Sequence, residues 1–367
     1  MKERIKVLVV EDSPVAQLLL VHILNSDPRL MVVGTANNGQ EALAFLHKTK
    51  PDAIVMDIHM PGMDGYTTTR RIMETQPVPI IVCSASLNPA EVTNTFRALE
   101  AGALALVAKP VGLTHQDYAA LARQLVETVC LMAEVKVVRR WTHHRVTSSS
   151  TAFGNIESRS RPNPVKVVAI GASTGGPVAL QTILSQLAKP FPAPLLIVQH
   201  IADGFLSGLV EWLSQSTGFE IEIAAHGASA VAGRAYVGPE GYHMGFGPGN
   251  QIVLSKSAPE NGLRPAISHL FRSVAETCRA QAIGILLTGM GRDGAEELTA
   301  LNQLGALTIA QDVHSSVVHG MPGEAIKLGG ASYVLAPDQI AAFLNQRVII
   351  PNAAAVSSSW PTKPPIA

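Results

Sequence analysis

The sequence predicts an α/β protein made of two doubly wound, mostly parallel domains in tandem. Three observations carry that expectation. Short apolar runs alternate with helix-length amphipathic stretches from residue 5 to about 138, the pattern of βα units on a parallel sheet. The same alternation resumes at 165 and continues to about 346. Between the two, residues 139–164 lose all periodicity and turn to Arg, His, Ser and Pro, as a flexible linker does.

In the first segment, strands are predicted near 5–10, 30–36, 53–57, 79–84 and 103–108. Helices begin near Ser13, Asn38, Asp64 and Asn88, and a last one runs from about Thr114 to about Val138. Val7 to Val10 form a short apolar run stopped by Glu11 and Asp12, which makes a buried strand rather than a signal peptide. Five strands alternating with five helices define a compact doubly wound domain. In the second segment, strands are predicted at 165–170, 193–199, 219–224, 234–238, 251–254, 282–288, 306–310 and 332–336. Its helices fall near 176–188, 204–216, 265–279, 293–304 and 337–346. The expected organisation is a domain over 1–138, a basic linker over 139–164, a second domain over 165–350 and a disordered tail over 351–367.

Composition narrows the function. The 367 residues carry 28 basic and 28 acidic side chains, so the chain lacks the basic excess that a grip on nucleic acid requires. That neutrality is a sum of unlike parts, because residues 139–166 hold 6 basic groups against 1 acidic one, between two acidic segments. Mean hydropathy is +0.23, yet no apolar run approaches the roughly 18–20 residues that span a bilayer. Cys83, Cys130 and Cys278 are far apart and outside any CxxC spacing, as buried small hydrophobes are in a reducing cytoplasm. A cytoplasmic protein is expected, with no direct membrane insertion and no nucleic-acid partner.

Polar residues gather where the first segment's strands end. Glu11 and Asp12 close the first strand, Asp57 the third, Ser84 the fourth and Lys109 the fifth. All strands of a parallel sheet present their carboxyl ends at one edge, where α/β folds bind ligands. Three crowded carboxylates repel unless a cation neutralises them, and all-oxygen ligands suit Mg²⁺. A lysine and a hydroxyl opposite can hold phosphoryl oxygens, with Asp57 placed to become an acyl phosphate. Taken singly, each acid also reads as a helix cap. Asp57 is followed by His59-Met60-Pro61-Gly62-Met63-Asp64-Gly65, and Lys109 by Pro110. With these residues the segment 3–138 resembles the response-regulator receiver domain, a flavodoxin-like (βα)5 fold. The resemblance implies phosphotransfer from a histidine kinase to Asp57, Mg²⁺ on Glu11, Asp12 and Asp57, and a switch through Ser84 and Lys109. Leu106 departs from the aromatic residue that receivers commonly carry three positions before the lysine.

The second segment opens on Val167-Val168-Ala169-Ile170 and then Gly171-Ala172-Ser173-Thr174-Gly175-Gly176-Pro177. Strand, glycine turn and helix place Ser173 beside a helix N-terminus, which favours negative charge. A P-loop would need a Gly-Lys-Ser/Thr lysine, and a dinucleotide site would need glycine at 173. The literal G-x-S-x-G also fits a nucleophile elbow. Such a serine needs a base and an orienting acid. His200 follows an apolar strand directly, and Asp293 lies in the glycine loop after another. The Ser-Asp-His chain order of α/β-hydrolases would instead use Ser173, Asp293 and His314 or His319. Those two histidines lie in an irregular stretch, so Ser173, His200 and Asp293 are preferred.

Ile170 to Pro177, Gln199-His200 and Thr288 to Ala295 resemble the catalytic domain of the chemotaxis protein-glutamate methylesterases (the CheB family), which join it to an N-terminal receiver. Gln311, Met321 to Ala325, and Ala235 through His243 fit as well. The resemblance implies Ser173 as nucleophile, His200 as general base and acid, Asp293 as its orienting residue and the Met290 backbone N–H as an oxyanion donor. It implies hydrolysis of γ-glutamyl methyl esters on chemoreceptors, and deamidation of glutamines, without a metal in the ester step. The implied partners are a methylated chemoreceptor as substrate and a chemotaxis-type histidine kinase as phosphodonor; a monomer is expected. A non-enzymatic phospho-adaptor on a degenerate hydrolase scaffold is the alternative. Arg264-Pro265-Ala266-Ile267-Ser268 departs from the family's frequent Arg-Pro-Ser-Val-Asp; the expectation is that this leaves the three catalytic residues unaffected.

Overall fold

A computed structural model describes residues 4–84, 89–110, 112, 118–135, 137 and 164–349. The linker expected over 139–164, apart from Pro164, and the tail expected over 351–367 lie outside the described residues. The chain forms two compact units.

The first unit alternates strand and helix throughout. Its elements are β1 (Ile5–Val10), α1 (Pro14–Ser26), β2 (Leu30–Ala36), α2 (Gly39–Leu46), β3 (Ala53–Met56) and α3 (Gly65–Thr75). They continue as β4 (Ile80–Ser84), α4 (Pro89–Glu100), β5 (Ala105–Ala108) and α5 (Tyr118–Met132). The strands are parallel in the order β2-β1-β3-β4-β5. β3 is buried along its whole length, as a central strand covered on both faces must be. Short polar side chains start the helices by accepting orphan N–H groups. Asn38 Oδ1 accepts the Glu41 N–H at 3.0 Å, and Asp64 Oδ1 accepts the Thr67 N–H at 2.7 Å. α5 ends at Met132, short of the predicted Val138. Its last turn tightens there, with Glu134 N–H donating to Leu131 O and Val135 N–H to Met132 O.

The second unit contains β6 (Val167–Ala172), α6 (Gly176–Gln186), β7 (Leu195–Gln199), α7 (Leu206–Thr217) from Leu209 onward, β8 (Glu220–Ile223) and β9 (Arg234–Val237). A hairpin follows from β10 (His243–Gly247) and β11 (Gln251–Ser255), then α8 (Ile267–Cys278) and β12 (Ala282–Leu286). The unit closes with α9 (Ala295–Gln303), β13 (Leu307–Gln311), α10 (Met321–Lys327), β14 (Tyr333–Leu335) and α11 (Pro337–Ile349). Seven parallel strands run in the order β14-β13-β12-β6-β7-β9-β8, and β10 and β11 pair antiparallel apart from them. From β6 the chain winds one way through β7 and later the other way through β12, so the switch point lies at β6.

Two elements were not expected. β10 reads His-Met-Gly-Phe-Gly, whose glycines argue against a strand. It forms because Met244 and Phe246 are buried in the core with α8's Leu270 and Phe271 while its backbone pairs with β11. α10 contains Pro322 and Gly323, both helix breakers, at its first turn. Its start is fixed from outside, with the N–H groups of Gly320 and Met321 both donating to Gly289 O. Phe271 is fully buried at the centre of the α8 face. Phe271→Ala is expected to cost the second unit about 3–5 kcal/mol in denaturant unfolding, and a loss below about 1 kcal/mol would contradict this packing.

Candidate active site

The carboxyl ends of β12, β6 and β7 meet at the switch point of the second sheet. Backbone ladders continue past the strands and align the residues that follow them. Ser173 N–H donates to Thr288 O at 3.0 Å, His200 N–H to Ala172 O at 2.9 Å, and Leu287 N–H to Gly171 O at 2.8 Å. Gln199, buried at the end of β7, ties Ser173 and His200 together, since its Nε2 donates to both carbonyls at 2.8 Å. The chain after Ser173 turns sharply into α6 through Gly175, whose φ is +79°. Gly289 lies so close that a Cβ there would stand 2.6 Å from the Ser173 Cβ. Among the described residues, Ser173 Oγ makes no hydrogen bond with His200, as often holds before substrate is bound.

Asp293 is buried and both its oxygens are used. Oδ2 lies 2.9 Å from His200 Nε2 and accepts the Ile267 N–H at 2.7 Å. Oδ1 accepts the Ser268 N–H at 3.1 Å and the Ser268 hydroxyl at 2.6 Å. The His200 contact makes Nε2 the ring nitrogen that faces the acid. Burial pushes the Asp293 carboxyl up, but the His200 contact, the Ser268 hydroxyl and the Ile267 N–H outweigh it and hold it below the usual carboxylate range. His319 packs elsewhere, with Nδ1 3.3 Å from Ser316 Oγ, and burial holds its imidazole below the ordinary value.

In the first unit, Glu11 and Asp57 are buried side by side at the carboxyl ends of β1 and β3. Lys109 Nζ reaches Glu11 Oε2 at 2.8 Å and Asp57 Oδ2 at 3.1 Å. Burial raises the Glu11 carboxyl above its ordinary range against the opposing pull of Lys109, and the Asp57 charge adds to the rise. Burial alone would lower the Lys109 ammonium, but the charges of Asp57 and Glu11 prevail and raise it. Glu11, Asp12 and Asp57 each offer an oxygen within 4.8 Å of the others, a donor set that fits a hard divalent cation. Ser84 is buried at the end of β4, and its carbonyl accepts the Lys109 N–H at 2.8 Å.

Residues 168–344 match the CheB methylesterase family, and residues 7–117 match the response regulator receiver domain. A protein-glutamate methylesterase/protein-glutamine glutaminase of Nitrosospira multiformis is 51% identical over 344 residues, covering 94% of this chain and 97% of that protein. A second, from Syntrophus aciditrophicus, is 51% identical over 341 residues, covering 93% and 97%. The chain belongs to the CheB methylesterase family.

The fold gathers most of the residues that the sequence singled out at two sheet edges. Ser173, His200 and Asp293 share one sheet edge, and Glu11, Asp12, Asp57 and Lys109 share another. The expectation that Ala266-Ile267-Ser268 leaves the three catalytic candidates untouched is corrected. Ile267 and Ser268 are the residues that hold Asp293, because Ala266 cannot cap α8 with its own side chain. Gln199, Thr288 and Gln311, which the sequence marked only as part of the resemblance, prove to brace the site. Thr288 N–H donates to Gln311 Oε1 at 2.8 Å and its Oγ1 accepts the Val318 N–H at 3.0 Å, which fixes the Gly289–Met290 loop. The available signal was a polar residue ending each apolar strand.

The Asp293 geometry predicts a pH dependence. Its folded pKa lies below the unfolded one, so the unfolded chain binds more protons near pH 4 and this carboxylate's contribution is lost as pH falls. Thermal unfolding from about pH 3 to 6 should therefore show a shallower acid-side loss in Asp293→Asn than in the parent. Parallel curves for the two proteins would refute it.

Proposed function

We propose that the second domain hydrolyses γ-glutamyl methyl esters of chemoreceptors, with Ser173 as nucleophile, His200 as general base and acid, and Asp293 as the residue orienting His200. The protein is a protein-glutamate methylesterase, a carboxylic ester hydrolase of two-component signalling. One observation carries the assignment of residues: Asp293 Oδ2 lies 2.9 Å from His200 Nε2 at the sheet's switch point, beside Ser173. Because Nε2 faces the acid, Nδ1 is the ring nitrogen left for Ser173.

In the reaction, Ser173 Oγ attacks the ester carbonyl as His200 takes its proton. The developing oxyanion is met by the Met290 N–H, which among the described residues makes no other hydrogen bond. Collapse expels methanol, protonated by His200. A water, deprotonated by His200, then releases the glutamate and restores Ser173. A glutamine side chain undergoes the same acyl transfer with ammonia as the leaving group.

The first domain governs this activity through phosphorylation of Asp57 by a chemotaxis-type histidine kinase. Glu11, Asp12 and Asp57 would hold Mg²⁺, which neutralises charge between the carboxylates and the phosphoryl group. Lys109 and Ser84 then carry the switch, without the aromatic residue that Leu106 replaces. The reading divides the chain into a receiver over 1–138, a basic linker over 139–164, a catalytic domain over 165–350 and a tail over 351–367. No helix among the described residues is long and apolar enough to cross a membrane, which supports a cytoplasmic enzyme acting on the receptor's cytoplasmic part. The oxyanion donor, the acid–base contact and the ordered elbow together disfavour a non-enzymatic adaptor.

Methanol release from methylated receptor by the full chain tests both halves. Ser173→Ala should abolish release while still accepting phosphate at Asp57 from a small acyl-phosphate donor with Mg²⁺. Asp57→Asn should keep basal release and lose the donor's stimulation. Turnover by Ser173→Ala, or stimulation of Asp57→Asn, would overturn the corresponding half.

A further inference from the structure

The start of α8 lies against the buried carboxylate of Asp293. Ala266, at the N-cap of α8, makes no side-chain hydrogen bond to the helix. The first N–H groups of a helix have no partner inside it. Here the N–H groups of Ile267 and Ser268 find theirs in Asp293, so a carboxylate from the β12–α9 loop caps α8 from outside.

The Ser268 hydroxyl does something else. It donates to Asp293 Oδ1 at 2.6 Å and accepts the Gly294 N–H at 3.0 Å. As a donor it satisfies no N–H of α8, so helix capping does not account for it. Gly294 follows Asp293 directly, and it is the N-cap of α9 with a φ of +81°. One oxygen atom therefore holds both the tip of the Asp293 side chain and the next backbone N–H, which closes a ring and fixes the side chain against its own backbone. The two carboxylate oxygens divide the work: Oδ1 is anchored on Ser268, and Oδ2 is left on Ile267 N–H and His200. The base of the arrangement is rigid as well. His243 is fully buried, its Nδ1 accepts the Ala266 N–H at 3.2 Å, and its Nε2–H therefore donates to Ala258 O at 3.1 Å. That ring stacks on His269 of α8, with centroids 4.7 Å apart.

We propose that Ser268 is a positioning residue for the ester hydrolysis, its hydroxyl fixing Asp293 so that Oδ2 stays on His200. The inference rests on the assignment of Ser173, His200 and Asp293 given above. It adds that the hydroxyl at 268 is part of this chain's acid–base geometry rather than of its folding alone.

The test uses full-length Ser268→Ala, Ser268→Thr and Ser173→Ala with methylated receptor, reading methanol release across pH together with thermal unfolding. In Ser268→Ala, kcat should fall about 10- to 100-fold, the range expected for one hydrogen bond to a charged group, with KM within about twofold. The acidic limb of its kcat/KM profile should move to lower pH, because a carboxylate no longer held on His200 favours the protonated imidazole less. Ser268→Thr keeps the donor and should return kcat to within about threefold of the parent, with the parent's acidic limb. A kcat loss under about twofold in Ser268→Ala overturns the proposal. So does a loss that Thr does not rescue, with an unmoved limb and a lowered melting temperature, since that is a folding role only. Activity in Ser173→Ala would instead overturn the underlying triad, so the two failures are told apart.

Discussion

A carboxylate taken out of water needs hydrogen-bond donors on every side, and the second domain is organised around meeting that need at Asp293. Its four contacts come from two elements: two backbone N–H groups and a hydroxyl from the start of α8, and the imidazole that follows β7. Satisfying it requires α8 to end its N-terminal approach against the β12–α9 loop. That approach is so close that Gly171 and Gly294 have no room for a Cβ beside the Ile267 side chain. The arrangement is also reciprocal, because α8 lacks a cap of its own and Asp293 lacks donors of its own. Neither half is stable in this apolar setting without the other.

Both domains place chemistry by the same rule and differ in how they treat charge. A parallel sheet aims every carboxyl end at one edge, so residues far apart in the chain become neighbours there. In the receiver, several carboxylates meet with one ammonium, and burial strains the group: Glu11 is held above its ordinary range even with Lys109 against it. Such a site is poised to gain cations. In the catalytic domain a single carboxylate meets more donors than burial can offset, and it is held ionised. Such a site is complete in itself, with one carboxylate oxygen turned to His200. The first suits a reversible phosphoryl switch, and the second a reaction that must proceed in the same geometry at every turnover.

Much of this was legible in the residues. Apolar runs ending in Glu11-Asp12, Asp57, Ser173 and Gln199-His200 located both sheet edges, because a polar residue that closes a buried strand has few places to go. The elements that escaped were those whose local preference is overruled. β10 holds two glycines and α10 a proline and a glycine, and each forms only because a partner remote in sequence supplies hydrogen bonds or apolar cover.

The sequence by itself determined the tandem of α/β domains, the identity of the residues that gather at each sheet edge and the family to which they belong, since strand periodicity and strand-end polarity are local properties. Only the tertiary structure decided which nitrogen of His200 faces its acid, and that Gln199 joins Ser173 to His200. It alone showed that Ile267 and Ser268 grip Asp293. Those are contacts between groups remote in sequence, 26 residues apart even for Asp293 with Ile267 and for Gln199 with Ser173, with no periodic trace, and they exist only once the sheet has brought its edges together.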